Sequence, residues 1–195
     1  MNSQSDYQTA FRNYLKKFAV LTPKEFQSVE NLFSEIELKA GDFWLKAGKI
    51  GNHVAFIQNG YMRKFINEEN GEETIHISPP HEFIIPFYSY FSQKPSHENL
   101  QAITDVKLWV IERQSVEKLF DINIKFERLQ RLLLQHHMIL KEERVISFVH
   151  QTTAERYNHL MLKRPDYFQF VPLQYIASYL GMTPETLSRI RSKKS

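Results

Sequence analysis

The sequence predicts an α+β chain: a β-rich unit with flanking helices, then one long helix, then a small helical unit. Three observations carry the prediction. Residues 36–112 alternate short apolar runs with Gly-marked breaks, the period of half-buried strands. Residues 121–149 contain neither Pro nor Gly, and their apolar residues recur at helical spacing. Residues 150–195 return to short helical segments with caps of their own. The expected organisation is therefore 1–120, 121–149 and 150–195.

Tyr7, Phe11, Tyr14, Leu15 and Phe18 fall at helical spacing and predict an amphipathic first helix. In "LTPKEF", Thr22 is a cap, Pro23 the first helical residue and Glu25 the capping-box acid of a second helix running to about Phe33. From Ile36 the period shortens. Asn59-Gly60 and Asn70-Gly71 tolerate positive φ, so "AFIQNGYMRKF" and "KFINEENGEETIHI" read as successive antiparallel hairpins, and "QAITDVKLWVIE" as a further strand of a barrel- or sandwich-like unit. In the long helix, Phe126, Leu129, Leu133, His136 and Leu140 form one stripe. At ~1.5 Å per residue the helix exceeds about 40 Å, more than a small domain needs. The stripe is expected to pair with a second copy, although it also suits a helix lying on the core of its own β unit. Thr152 or Thr153 then caps a helix to Lys163, "RPDYFQFVP" reads as a loop, and two short helices follow.

Composition narrows the function classes. The 195-residue chain has no Cys, which excludes disulfides, thiolate nucleophiles and Cys-ligated metals. No run approaches the ~18 apolar residues of a membrane helix. The start, "MNSQSDYQTAFRNY", has neither a basic nor an apolar leader region. A soluble cytoplasmic protein is expected. Residues 150–195 carry seven Lys/Arg against three acids, giving +4 and leaving −1 for residues 1–149 of the chain's +3. Positive charge at one end suits a polyanionic partner.

The stretch "YIASYLGMTPETLSRIRSKKS" meets the demands of a helix-turn-helix. Counted from Leu173, small Ala177 stands where two helices cross, and Gly181 supplies the positive φ of the turn. Leu187 and Ile190 dock the second helix, with Ile176 and Leu180 completing the inner face. Thr183 caps that second helix, Pro184 begins it, and Glu185 favours its positive end. Glu185 and Arg189, four apart, share a face. Glu accepts from cytosine N4 and Arg bonds guanine O6 and N7, so these two are the candidate base readers. Thr183, Ser188, Arg191, Lys193 and Lys194 are candidate phosphate contacts, which position without specifying.

The order of β-rich unit, long helix and "IASYLGMTPETLSRIR", with "TAERY" upstream, resembles the Crp/Fnr family of bacterial transcription regulators over nearly the whole chain. The resemblance implies an N-terminal cyclic-nucleotide-binding-type β-roll with flanking helices, a long dimerisation helix and a C-terminal helix-turn-helix domain. It implies a homodimer, double-stranded DNA with an inverted-repeat operator as partner, RNA polymerase as a further partner, and base reading by Glu185 and Arg189. Where the best-known members carry another Arg, this chain has Pro184. The family's two-stranded wing would follow Ser195 and is expected to be lacking.

The family's phosphate cassette has a Gly-Glu pair and, about ten residues on, an Arg followed by a small residue. Aligned on Phe83, this chain has Ile85, Pro86 and Ser96 there, with His97 adjacent. None of the first three can hold a buried phosphate, which needs a cation or several N–H donors. Cyclic nucleotide binding is therefore not expected, and a ligand of other, less charged type, or none, takes its place. Phe83, Phe87, Tyr88, Tyr90 and Phe91 either line an apolar effector pocket or fill the space of a lost one. His136 and His137 are adjacent on a helix and point apart; His76 and His81 lack a zinc-type spacing. No metal, no cofactor and no catalytic signature is read, so no enzyme activity is expected. The alternative function is a ligand sensor whose C-terminal helices bind protein rather than DNA.

Overall fold

The computed structural model describes residues 3–69 and 71–192. Lys193 and Lys194, expected at phosphates, and Asn70 of the second Asn-Gly pair lie outside the described residues.

The first two helices, α1 (Ser3–Lys16) and α2 (Pro23–Glu30), are set by the residues expected to set them. Thr22 Oγ1 accepts from the Glu25 N–H while the Glu25 carboxylate accepts from the Thr22 N–H at 2.7 Å, a reciprocal capping box. Eight strands follow: β1 (Ser34–Leu38), β2 (Phe43–Leu45), β3 (His53–Asn59), β4 (Met62–Glu68), β5 (Gly71–Ser78), β6 (Phe83–Ile84), β7 (Asn99–Ala102) and β8 (Val106–Glu112). They form two four-stranded antiparallel sheets, ordered β1-β8-β3-β6 and β2-β7-β4-β5, the β-roll. A short helix α3 (Phe87–Ser92) lies between β6 and β7.

The two Asn-Gly pairs behave differently. β4 and β5 form the expected hairpin, closing at Glu68 opposite Gly71. Asn59-Gly60 does not close a hairpin: β3 and β4 belong to different sheets, so this turn carries the chain across the roll. Gly60 has φ +85, and a Cβ on it would stand 2.3 Å from the Asp105 carbonyl oxygen. Close approach of the two loops, rather than a tight two-residue turn, explains the glycine.

Residues 113–150 are two helices, α4 (Arg113–Ile122) and α5 (Ile124–His150). Between them Asn123 is extended at φ −160, and its side chain accepts from the Lys125 N–H, the N-cap that starts a new helix. The stripe expected to meet a second copy is turned inward over its first half. Phe126 and Leu129 are buried with Phe11, Leu15 and Leu119, Leu133 packs against the same cluster, and the His136 ring lies 5.3 Å from that of Phe18. Their burial against their own chain stabilises the roll by about 1.5–3 kcal/mol for each large side chain. Leu140 borders a cavity. The outward apolar row is instead Met138, Ile139, Val145, Ile146 and Val149, each about half exposed or more.

The C-terminal unit comprises α6 (Thr153–Lys163), α7 (Tyr167–Phe170), α8 (Leu173–Tyr179) and α9 (Pro184–Ser192). Thr152, not Thr153, is the α6 cap, in a second capping box with Glu155. The segment expected as a plain loop contains α7, one helical turn, because Tyr167 drives into the core. Tyr157, Tyr167, Ile176, Ala177, Leu180 and Leu187 form that core together with Tyr61 and Ile77 of the roll. The two units thus share one apolar cluster. No described helix is long and apolar enough to cross a membrane.

Candidate nucleic-acid interface

α8, the turn and α9 have the geometry the spacing predicts. Ile176 and Ala177 are fully buried and Leu187 nearly so, while Gly181 holds φ +67 in the turn. Thr183 Oγ1 accepts from the Thr186 N–H at 3.3 Å and bonds Thr186 Oγ1 at the same distance. The Thr183 hydroxyl therefore starts α9, and Pro184 fills the first helical position, where a missing N–H is harmless. Glu185 follows in the first turn, its pKa held below the ordinary carboxylate value by backbone N–H donation and by Thr183.

The opposite side of α9 is open. Glu185, Ser188, Arg189 and Arg191 are exposed. None of the three charged side chains makes an ion pair among the described residues. A 9-residue helix with its apolar face docked and its charged face free presents one acid and two guanidiniums to whatever approaches.

Three features hold this helix pair in place, and none was legible from periodicity. First, two arginines cap the C-terminus of α8: Arg144 Nη2 donates to the Tyr179 carbonyl at 2.8 Å, and Arg156 Nε donates to the Leu180 carbonyl at 3.0 Å. Cations at carbonyl-bearing helix ends are favourable. Both guanidiniums also lie over the Phe148 ring, at 4.7 and 4.5 Å from its centroid. Second, Arg63 on β4 is 2 % exposed, stacks on Phe65 and on Tyr175 of α8 at 3.9 and 3.7 Å, and donates to Gln101 Oε1. An arginine at a strand position flanked by Met62 and Phe65, with Lys64 beside it, was the one available signal. Third, polar clasps tie the roll to the C-terminal unit. The Thr74 N–H donates to Ser178 Oγ at 2.8 Å, Tyr61 O–H to Asp166 Oδ2 at 3.0 Å, and Tyr167 O–H to the Ile77 carbonyl at 2.8 Å.

The cassette positions hold no anion-binding group. Ile85 lends its carbonyl to Lys64 Nζ. Pro86 precedes α3 and packs on Gly51, where a Cβ would come within 2.4 Å of its ring. Ser96 is buried; its hydroxyl donates to the Glu98 carbonyl and accepts from the Glu98 N–H, closing a turn. The His97 ring rests 4.8 Å from Tyr88. Tyr90 and Phe91 border a small apolar cavity of about 110 Å³, Phe87 faces a second cavity of about 480 Å³ between the roll, α5 and the C-terminal unit, and Phe83 borders both. His136 and His137 keep ring centroids 6.0 Å apart. No group of three or more His, Asp or Glu among the described residues is placed to hold a metal.

Residues 35–123 match the family model of the cyclic nucleotide-binding domain. That segment, 89 of the 195 residues, is similar to cyclic nucleotide-binding domains. It spans the roll and α4, and the long helix α5 and the short helices α6 to α9 follow it. FixK2 from Bradyrhizobium japonicum superposes with a TM-score of 0.70 at 20% identity, covering 83% of each chain. A regulator from Eubacterium rectale described as of the Crp/Fnr family gives 0.67 at 14% identity over 87% of this chain and 82% of that one. The Catabolite Activator Protein of Thermus thermophilus gives 0.58 at 18% identity over 90% and 84%. The chain therefore has the Crp/Fnr fold. No curated protein matches the sequence.

Proposed function

We propose that this chain is a sequence-specific DNA-binding transcription regulator of the Crp/Fnr type, acting as a homodimer. The observation that carries the reading is the open outer face of α9, where Glu185 and Arg189 are exposed and without an ion-pair partner among the described residues, beside a docked apolar face. On this reading α9 enters the major groove, Glu185 and Arg189 read base edges, and Thr183, Ser188, Arg191, Lys193 and Lys194 lie along phosphates. The outward apolar row on α5 pairs with its counterpart in a second copy. A twofold dimer then places two α9 helices about 34 Å apart, and the operator is an inverted repeat. RNA polymerase is a further partner of a regulator of this type.

Cyclic AMP and cyclic GMP are not effectors on this reading, because Ile85, Pro86 and Ser96 stand where the cassette needs charge and donors. The test is selection of bound sequences from random duplexes, followed by footprinting on the promoter region next to the chain's own gene. An inverted repeat protected on two successive major grooves is expected. Absence of any preferred sequence, with capture of a protein through α9 instead, selects the alternative reading of a sensor with a protein-binding C-terminus.

A further inference from the structure

Phe148, in the last turn of α5, is 40 % exposed, so burial alone does not account for it. Its ring is where three separate parts of the chain meet. Arg144 of α5 and Arg156 of α6 both lie over it, and the turn at Gly181 rests on its edge without room for a Cβ. Each guanidinium then reaches on to the end of α8, Arg144 to the Tyr179 carbonyl and Arg156 to the Leu180 carbonyl. Arg156 Nη1 also donates to the Gln151 carbonyl at 2.7 Å, the cap residue of α5. Arg144 covers the Tyr179 ring at 4.0 Å. Two side chains and one ring therefore join the end of α5, the start of α6 and the end of α8.

The chemistry of this joint favours direction over bulk. The last carbonyls of a helix have no partner within it, so what donates to them sets how that end points. A guanidinium donates through a planar, rigid fork. Two guanidiniums at one ring also repel: burial and, less, the charge of Arg156 hold Arg144 below its ordinary pKa, against Tyr179. Neither has a carboxylate within ion-pair distance among the described residues. Leucines would fill the same space without that cost but would leave the carbonyls undirected.

The clasps to the roll do not do the same work. Tyr175 and Ser178, which they grip, are three residues apart on one face of α8. The joint at Phe148 holds the end from which α9 departs. From that end α9 runs 9 residues, about 13 Å at ~1.5 Å per residue. A tilt of about 15° at the joint moves the far end of α9 by about 3.4 Å, the rise of one base pair.

We infer that Phe148, with Arg144 and Arg156, is a positioning residue for operator recognition: it fixes the angle of α8 and α9 on α5, and through it the spacer length between the two half-sites. This rests on the reading of the chain as a DNA-binding homodimer. Each half-site is read by the outer face of α9, which Phe148 does not touch. The distance between half-sites is set by whatever ties α9 to the twofold axis, and on that reading the axis runs beside Val145 and Val149, the neighbours of Phe148 on α5.

The experiment is fluorescence anisotropy of the full chain on its selected inverted repeat, and on versions with the spacer one base pair shorter and one longer. Half-site spacing is a geometric demand, so either change is expected to cost the unsubstituted chain about tenfold or more in affinity. In Phe148→Leu that penalty falls to about threefold or less, while discrimination at the base pair read by Arg189 stays within about twofold of its original value. Phe148→Tyr keeps the ring face and keeps the full spacer penalty. Arg156→Lys keeps the charge but not the two-carbonyl bridge, and lowers the penalty as Phe148→Leu does. An unchanged spacer penalty in Phe148→Leu and Arg156→Lys overturns the proposal. Equal loss of affinity on all three spacers, or failure of both variants to fold, also overturns it by leaving the ring a structural contact only. A chain that selects no sequence removes the regulator reading and this proposal with it, whereas a selected operator with an unaltered spacer profile removes the proposal alone.

Discussion

The Phe148 ring occupies the space a side chain at Gly181 would need: a Cβ there would stand 2.6 Å from Phe148 Cε1. The turn between the two helices of the motif is thus seated directly on the long helix. Gly181→Ala meets two costs, a positive φ worth about 1–2 kcal/mol for an L-residue and the collision with a ring pinned by Arg144 and Arg156. A fall in stability of about 2–3 kcal/mol is expected, with operator affinity falling as well. Phe148→Leu in the same chain restores part of the loss, and a double-mutant cycle by denaturant unfolding measures how much.

On the proposed DNA-binding reading, Arg189 and Arg191 separate reading from positioning. Arg189→Ala costs about 1–3 kcal/mol on the operator and relaxes preference at one base pair. Arg191→Ala weakens all sequences alike and makes the slope of log K against log[salt] shallower by about 0.9. Fluorescence anisotropy on operator and scrambled duplexes over a salt series checks both. Equal losses on both duplexes for Arg189→Ala would remove it from the base readers.

The two faces of α5 have opposite sensitivities. Val145→Glu and Met138→Glu are expected to convert a dimer to a folded monomer, visible by sedimentation at micromolar concentration. Leu129→Ala, on the inward face, costs about 2–5 kcal/mol of folding stability and leaves the assembly state of the folded fraction unchanged. A monomeric wild-type chain would remove the paired-helix arrangement.

Arg63→Met keeps the bulk between Phe65 and Tyr175 but loses the guanidinium. The stacking contacts, the ion pair to Glu72 and the bonds to Gln101 go together, and Gln101 retains its own donor bond to the Gly41 carbonyl. A stability loss of about 1–3 kcal/mol is expected, the range for a buried charged hydrogen bond. Hydrogen exchange should rise at the β4–α8 contact before it rises in β3 and β8.

Acid sensitivity should track His76 and His137, which line the cavity of about 480 Å³. His76 is held down to about 3 by burial, then by Lys64, Arg144, His137 and Lys141, and His137 down to about 4 by burial, His136 and the two lysines. Both are neutral in the fold and protonate more readily when unfolded, near 6.5. The unfolded state binds the extra protons, so stability is full above pH 6.5 and declines as pH falls from 6.5 towards 3. His76→Leu should flatten that part of a melting-temperature profile.

Much of the architecture was legible because it is written locally. Thr22 with Glu25, and Thr152 with Glu155, are capping pairs three residues apart. Gly181 and Ala177 have roles set by their own turn. Phe126 and Leu129 show where local reading stops: a stripe at helical spacing gives a face but not its neighbour, and here the neighbour is Phe11, more than 100 positions away in sequence. Asn59-Gly60 shows the same, since a turn signal does not say whether the strands it joins share a sheet. The clasps of Arg63, Arg144 and Arg156 join residues distant in sequence, and only tertiary structure brings them together.

The shared core of Tyr61, Ile77, Tyr167 and Ile176 bears on biosynthesis. The roll leaves the ribosome first, with the Tyr61 and Ile77 surface still bare. The stretch from Thr152 to Ser192 that covers it is complete only 80 residues after Glu112 ends the roll, about 4–16 s later at roughly 5–20 residues per second. During that interval the nascent chain carries a sticky patch next to the β4–β5 ribbon, and a chaperone has its window there. Shortening the chain at the end of α5 makes that interval permanent, so an isolated roll is expected to gain aggregation propensity rather than merely lose a function.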